Sequence, residues 1–313
     1  MTPAAIALFF VLGALAGLLR SDLKIPKGLY DALTIFLLLA IGLKGGVSLS
    51  NHGNSDLWFD SLAVIAFGAC LPLIAYPLLK LIGRLPKADA ASIAAHYGSV
   101  SVGTYAIGAA FLEAQNIRFE DHLALFVVLL EMPAIAVGIL LARPIRDIDK
   151  ALLGKLLHEV FLNKGMLLMG GGLLIGWFAG SEGLQPVKPF FFDLFNGFLA
   201  LFLLEMGLLA ASQLGVLRKN ALVLIPFALI MPLIGATLAA LLATQLGMSL
   251  GGITMLAVLG GSASYIAVPA AMRIAVPEAR APLSIAASLG ITFPFNVLIG
   301  IPLYLQLSQF LNG

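Results

Sequence analysis

Apolar residues run along this chain in long blocks rather than in the alternation of a strand or the one-sided stripe of a surface helix. A helix needs about 20 mostly apolar residues to cross the hydrocarbon core of a bilayer. Blocks of that kind lie at 3–19, 28–46, 60–83, 89–113, 122–142, 164–180, 189–211, 220–246, 249–275 and 281–307. The pattern predicts an all-α polytopic membrane protein with ten transmembrane helices. The first block lacks a basic leader and an A-x-A site, and Arg20, Lys24 and Lys27 follow it. It therefore reads as a retained span rather than a signal peptide.

Charge supports the count. Of the 18 Lys and Arg residues, only Lys44, Arg118 and Lys188 fall on the even-numbered connections. The rest, from Arg20 to Arg280, cluster on the odd-numbered side. By the positive-inside rule the odd connections are cytoplasmic and both termini lie outside. Composition closes off other classes. The chain is 60% apolar and 11% charged with a net charge of +2, which leaves no basic face for nucleic acid and too little charge to cover a soluble surface. The single cysteine, Cys70, forms no internal disulfide and no cysteine-based zinc cage.

The chain also repeats itself. "FLLLAIGLKGGVSL" at 36–49 matches "LFLLEMGLLAASQL" at 201–214, aligning Gly42 with Gly207. "CLPLIA" at 70–75 matches "IMPLIG" at 230–235, "GSVS" at 98–101 matches "GSAS" at 261–264, and Pro133 matches Pro294. Gly13-x-x-x-Gly17 and Gly172-x-x-x-Gly176 open the two halves, and the offsets stay between 159 and 165 residues. Five spans per half is an odd number, so the second half enters the membrane upside down. The expected plan is a 5+5 inverted repeat, with residues 1–142 and 164–313 as the halves and 143–163 as a cytoplasmic connecting loop. Secondary transporters are commonly built this way, with the site at the midplane.

Spans four and nine carry the chemistry. Each is interrupted near its middle by Gly-Ser-x-Ser, a weak helix former whose hydroxyls can satisfy freed backbone groups. Backbone broken at membrane depth survives only where it lines a cavity or is buried in protein. The half-helices beyond the breaks would aim their positive N-terminal ends at one point from opposite sides, which suits a small anion. Gly98, Ser99, Ser101, Thr104, Gly261, Ser262, Ser264 and Tyr265 are the candidate residues there. Glu131, two residues before Pro133, is a carboxylate at membrane depth, where such groups are costly and functional by default. It could hold Na⁺ or carry a proton, and Asn296 is a neutral candidate for the same cluster. Ser101, Thr104, Ser264 and Glu131 are the candidate oxygen ligands for Na⁺. The competing reading of the small residues is close helix packing, which fully explains the Gly-x-x-x-Gly pairs of spans one and six. Lys44 reads as a structural or pathway residue near the outer end of span two, Glu205 lies within span seven, and His96 reads as a core hydrogen-bond donor. No Walker A, H-E-x-x-H or G-x-S-x-G pattern occurs, so the chain reads as no enzyme.

"AAHYGSVSVGTYAIGAAFLE" at 94–113 and "GGSASYIAVPAAMRIAVPEA" at 260–279, in this ten-span order, resemble the SbtA-type sodium-dependent bicarbonate transporters. The resemblance implies a homotrimer in the bacterial inner or plasma membrane that takes up bicarbonate with Na⁺ as coupling ion and no cofactor. It implies a gate domain of spans 1, 2, 6 and 7 and a core domain of spans 3–5 and 8–10, with both ions held between the broken helices. Members are regulated by a PII-like partner, but the short central loop here argues against that partnership. A Na⁺- or proton-coupled carrier of another small anion, such as a carboxylate, is the alternative.

Overall fold

The structure is a computed structural model that describes residues 3–51, 57–120, 122–144, 150–217 and 220–312. Among these the secondary structure is helical throughout, with no strand. The helices are α1 (Pro3–Leu18), α2 (Lys27–Asn51), α3 (Leu57–Pro77), α4 (Lys87–Gly98), α5 (Val102–Ala114), α6 (Leu123–Ala142) and α7 (Lys150–Leu162). They continue as α8 (Lys164–Gly183), α9 (Phe195–Leu217), α10 (Ala221–Gln245), α11 (Leu250–Gly260) and α12 (Ala267–Ala275). The C-terminal rod is α13 (Ala281–Ala287), α14 (Phe293–Phe295) and α15 (Ile301–Asn312), joined by π-turns.

Six helices among the described residues are long and apolar enough to cross a membrane: α2, α3 with its π-turn extension, α6, α9, α10 and the α13–α15 rod. Lys150–Glu159 and Lys164–Gly183, bent by 57° to one another, make a seventh if taken as one span. Each of the ten apolar blocks falls on helix. Blocks four and nine are divided into half-helices of 12 and 13 residues and of 11 and 9 residues, each too short to span alone. Large apolar side chains face outward, Trp58, Phe178 and Leu222 among them, as a lipid-facing surface requires. Within the connection at 143–163, Lys150–Leu162 is helical. Its Leu153, Leu157 and Phe161 recur at helical spacing and are half-exposed.

Lipid tails are as apolar as leucine, so burial drives little association between spans and close contact must supply it. Two helix pairs show how. Helix α2 lies on α8 through Gly42 and Gly46 against Gly172 and Gly176, where a Cβ on Gly46 would sit 2.8 Å from the Trp177 backbone nitrogen and 2.9 Å from Gly176 Cα. Helix α1 lies on α9, where a Cβ on Gly207 would come 2.9 Å from the Gly13 carbonyl carbon. In both pairs the first helix of one half packs on the second helix of the other. Elsewhere α3, α4 and α6 pack on one another, and α10, α11 and α15 form a second group.

Gly46→Val should therefore lower the thermal midpoint by several degrees, because overpacking a closed contact costs about 1–3 kcal/mol. Gly171→Ala on α8, where nothing lies within 4 Å of the added carbon, should leave the midpoint unchanged. Equal midpoints for both variants would remove the glycine contact from the account.

Candidate functional site

The two breaks form as their residues dictate. Helix α4 stops at Gly98, and Ser99 turns to an extended conformation at φ −91°, ψ 169°. Ser101 then caps α5, its Oγ accepting the Thr104 backbone N–H at 3.1 Å. In the other half α11 ends at Gly260, and residues 261–266 run without regular helix before α12.

The interrupted strands of backbone cross and satisfy each other. The Ser101 N–H donates to Ser262 Oγ at 3.0 Å, and Ser262 in turn donates to the Leu259 carbonyl at 2.8 Å. The Ser264 N–H donates to the His96 carbonyl at 2.8 Å. Asn296 donates to the Gly261 carbonyl and accepts from Tyr304, each at 2.8 Å. All these groups are buried, so each bond replaces a backbone or amide group that would otherwise be stranded at a cost of about 1–3 kcal/mol.

Some polar groups at the crossing remain unspent. Ser99 Oγ, His96 Nε2 and the Tyr265 hydroxyl are buried with no hydrogen-bond partner among the described residues. Unsatisfied buried polar atoms are rare in folded proteins and mark places where a ligand, ion or water completes the set. The Tyr265 hydroxyl lies against Ser101 and over the first turn of α5, 2.5 Å from where a Cβ on Gly103 would stand. Here a cleft of about 10 Å³, barely the space of one water, separates Val102, Gly103 and Ile266 from Thr34, Leu38 and Phe202 of α2 and α9.

The predicted residues divide accordingly. Ser99, Ser101, Thr104, Ser262, Ser264 and Tyr265 gather at the crossing. Gly98 and Gly261 are there for space: added carbons would meet Ala134 at 2.8 Å and the Tyr304 hydroxyl at 2.6 Å. Asn296 also reaches the site, with its amide committed to Gly261 and Tyr304. Tyr97 donates to or accepts from Thr292 at 2.7 Å, a core role. Glu131 is buried on α6, with Oε2 unpartnered and Oε1 3.9 Å from the position of a Cβ on Gly165, at the start of α8. The sequence reading missed Thr34 and Phe202, which face the break from helices with no polar motif. It also missed two ties. Arg280 donates from its backbone and guanidinium to Asp89 at 2.6–2.9 Å, and Glu120 accepts from the Ser249 N–H and hydroxyl at 2.6 and 3.0 Å. Among the described residues no group of three or more His, Cys, Asp or Glu could hold a metal.

The sequence profile of the Na⁺-dependent bicarbonate transporter superfamily matches residues 5–309. The chain belongs to that superfamily. This member of the Na⁺-dependent bicarbonate transporter superfamily is thus a transporter and not an enzyme, and its match takes in both breaks and every candidate residue. No curated protein matches it.

Ser262→Ala removes the acceptor of a buried N–H and should cost about 1–3 kcal/mol, seen as a lower thermal midpoint. Ser99→Ala removes a hydroxyl that holds nothing in the fold and should leave the midpoint in place while lowering transport at least tenfold. Full transport in Ser99→Ala would return the first break to a packing role.

Proposed function

We propose that this protein is a Na⁺-driven bicarbonate symporter working by alternating access. The observation that carries the reading is the crossing of two broken helices, which leaves the Ser99 and Tyr265 hydroxyls buried and unspent. A bicarbonate ion offers oxygens that accept from those hydroxyls and from the uncapped N–H groups opening α12. Ser101, Thr104, Ser264 and free carbonyls offer oxygens to Na⁺, and Glu131 on α6, turned toward α8 at Gly165, is the candidate carboxylate of the coupling. Binding the cation beside the anion offsets part of the desolvation cost of each.

The proposed architecture is ten spans in a 5+5 inverted repeat. The cross-packing of α1 on α9 and α2 on α8 is what such a repeat produces. So are the two ties: Asp89 and Ser249 are 160 positions apart, as are their partners Glu120 and Arg280, with the pairing exchanged between halves. We assign α1, α2, α8 and α9 to a gate and the remaining spans to a core that moves against it. Family resemblance adds a homotrimer in a bacterial plasma membrane, and the positive-inside rule puts both termini outside. The short central segment speaks against a PII-like regulator.

The energetics favour coupling to the Na⁺ gradient. A charge moving through 100 mV exchanges about 2.3 kcal/mol. One Na⁺ with one bicarbonate cancels electrically, so the Na⁺ concentration difference alone would drive uptake. The second reading, a proton-coupled carrier of another small anion, draws on the unpartnered oxygen of Glu131.

Proteoliposomes loaded without Na⁺ should accumulate labelled bicarbonate above the outside concentration when an inward Na⁺ gradient is imposed at fixed pH. Glu131→Gln should weaken the Na⁺ dependence. Uptake that ignores Na⁺ and follows a proton gradient would move the coupling to Glu131 and overturn the symport reading.

A further inference from the structure

Lys44 on α2 and Glu113 on α5 form an ion pair. The pairs Asp31–Lys164, Asp89–Arg280 and Arg143–Glu278 each tie elements within one of the two blocks assigned above. Lys44–Glu113 instead crosses the seam between gate and core.

Its place on that seam is specific. A wide vestibule of about 420 Å³ is lined by Lys44, Glu113, Asn116 and Arg118. Directly adjoining it, a pocket of only about 30 Å³ is lined by Lys44 and Glu113 again, together with Ile41, Tyr105, Ala109 and Phe195. The cleft at Gly103 follows along the same two helices. Ala109 and Glu113 stand four residues apart on α5, as Leu37 and Ile41 do on α2, so each pair shares one helix face. The pair thus forms the partition between an open mouth and a space for one or two waters, through which no hydrated ion passes.

The vestibule also carries the charge an anion would seek. Lys44 and Arg118 line it, and they are two of the three basic residues on the side the positive-inside rule places outside. Both members of the ion pair are about half exposed, with side chains 54% and 42% accessible. Such a pair contributes little to stability, so it opens at small cost, as a partition that must cycle requires.

We propose that Lys44–Glu113 is the outer gate of the transport route and that Lys44 is the first group to bind the incoming anion, in competition with Glu113. This deepens the symport reading and rests on it for sidedness and substrate.

The test places Ala109→Cys in a Cys70→Ser background and labels intact, right-side-out membranes with a membrane-impermeant maleimide. E113Q and K44Q should each label about two- to fivefold faster than the parent, the range an exposed pair supports. The charge swap K44E/E113K should return to the parent rate. Uptake then separates the two residues: K44Q should raise the KM for bicarbonate severalfold, and E113Q, which removes the competitor, should lower it. Equal labelling of parent and single variants, or labelling that the swap does not restore, overturns the gate. KM values that move in the same direction overturn the anion role of Lys44. Labelling needs no substrate, so a parent that takes up no bicarbonate would defeat the symport reading while the gate is still decided.

Discussion

A backbone interrupted inside a bilayer has no water to turn to, and the architecture around residues 98–101 and 261–266 follows from that constraint. Neither break is sustained by its own half of the chain. The Ser101 N–H needs Ser262, and the Ser264 N–H needs the carbonyl of His96. The Asn296–Tyr304 pair then secures the Gly261 carbonyl. Once those demands are met, the donors left over are the Ser99 and Tyr265 hydroxyls and the uncapped N–H groups opening α12. Ser99 and Tyr265 are therefore available to a ligand without any cost to the fold.

The remaining contacts sort into two kinds with different mechanical consequences. The α1–α9 and α2–α8 pairs meet glycine on glycine, with backbones too close for a Cβ between them. That contact is stiff and makes each pair a rigid unit. The half-helices of the crossing are pinned at their outer ends, by Glu120 at Ser249 and by Asp89 at Arg280. Across the narrow cleft at Gly103, α2 and α9 face Val102, Gly103 and Ile266 through a mostly apolar lining. In the proposed alternating-access cycle, this cleft is where the gate would slide against the core.

Much of this was legible before any coordinates. Apolar block lengths predicted helices where helices stand, and Gly-Ser-x-Ser predicted both breaks, because glycine and serine are weak helix formers and the serine hydroxyls can satisfy freed backbone groups. The partners themselves were not legible. Nothing local to Asn296 indicates that its amide is committed to Gly261, and nothing local to Glu131 indicates that it turns toward α8 at Gly165. Thr34 and Phe202 reach the site only through tertiary packing of helices that read as plain apolar spans.

The central claim is that the crossing of the breaks is where the anion and Na⁺ bind. Cryo-electron microscopy of the protein in saturating Na⁺ and bicarbonate tests it most directly. The account predicts density for a small anion between the breaks, within hydrogen-bond reach of Ser99 or Tyr265, that disappears when both ions are withheld. An empty crossing in both maps, with ion density elsewhere in the protein, would contradict it.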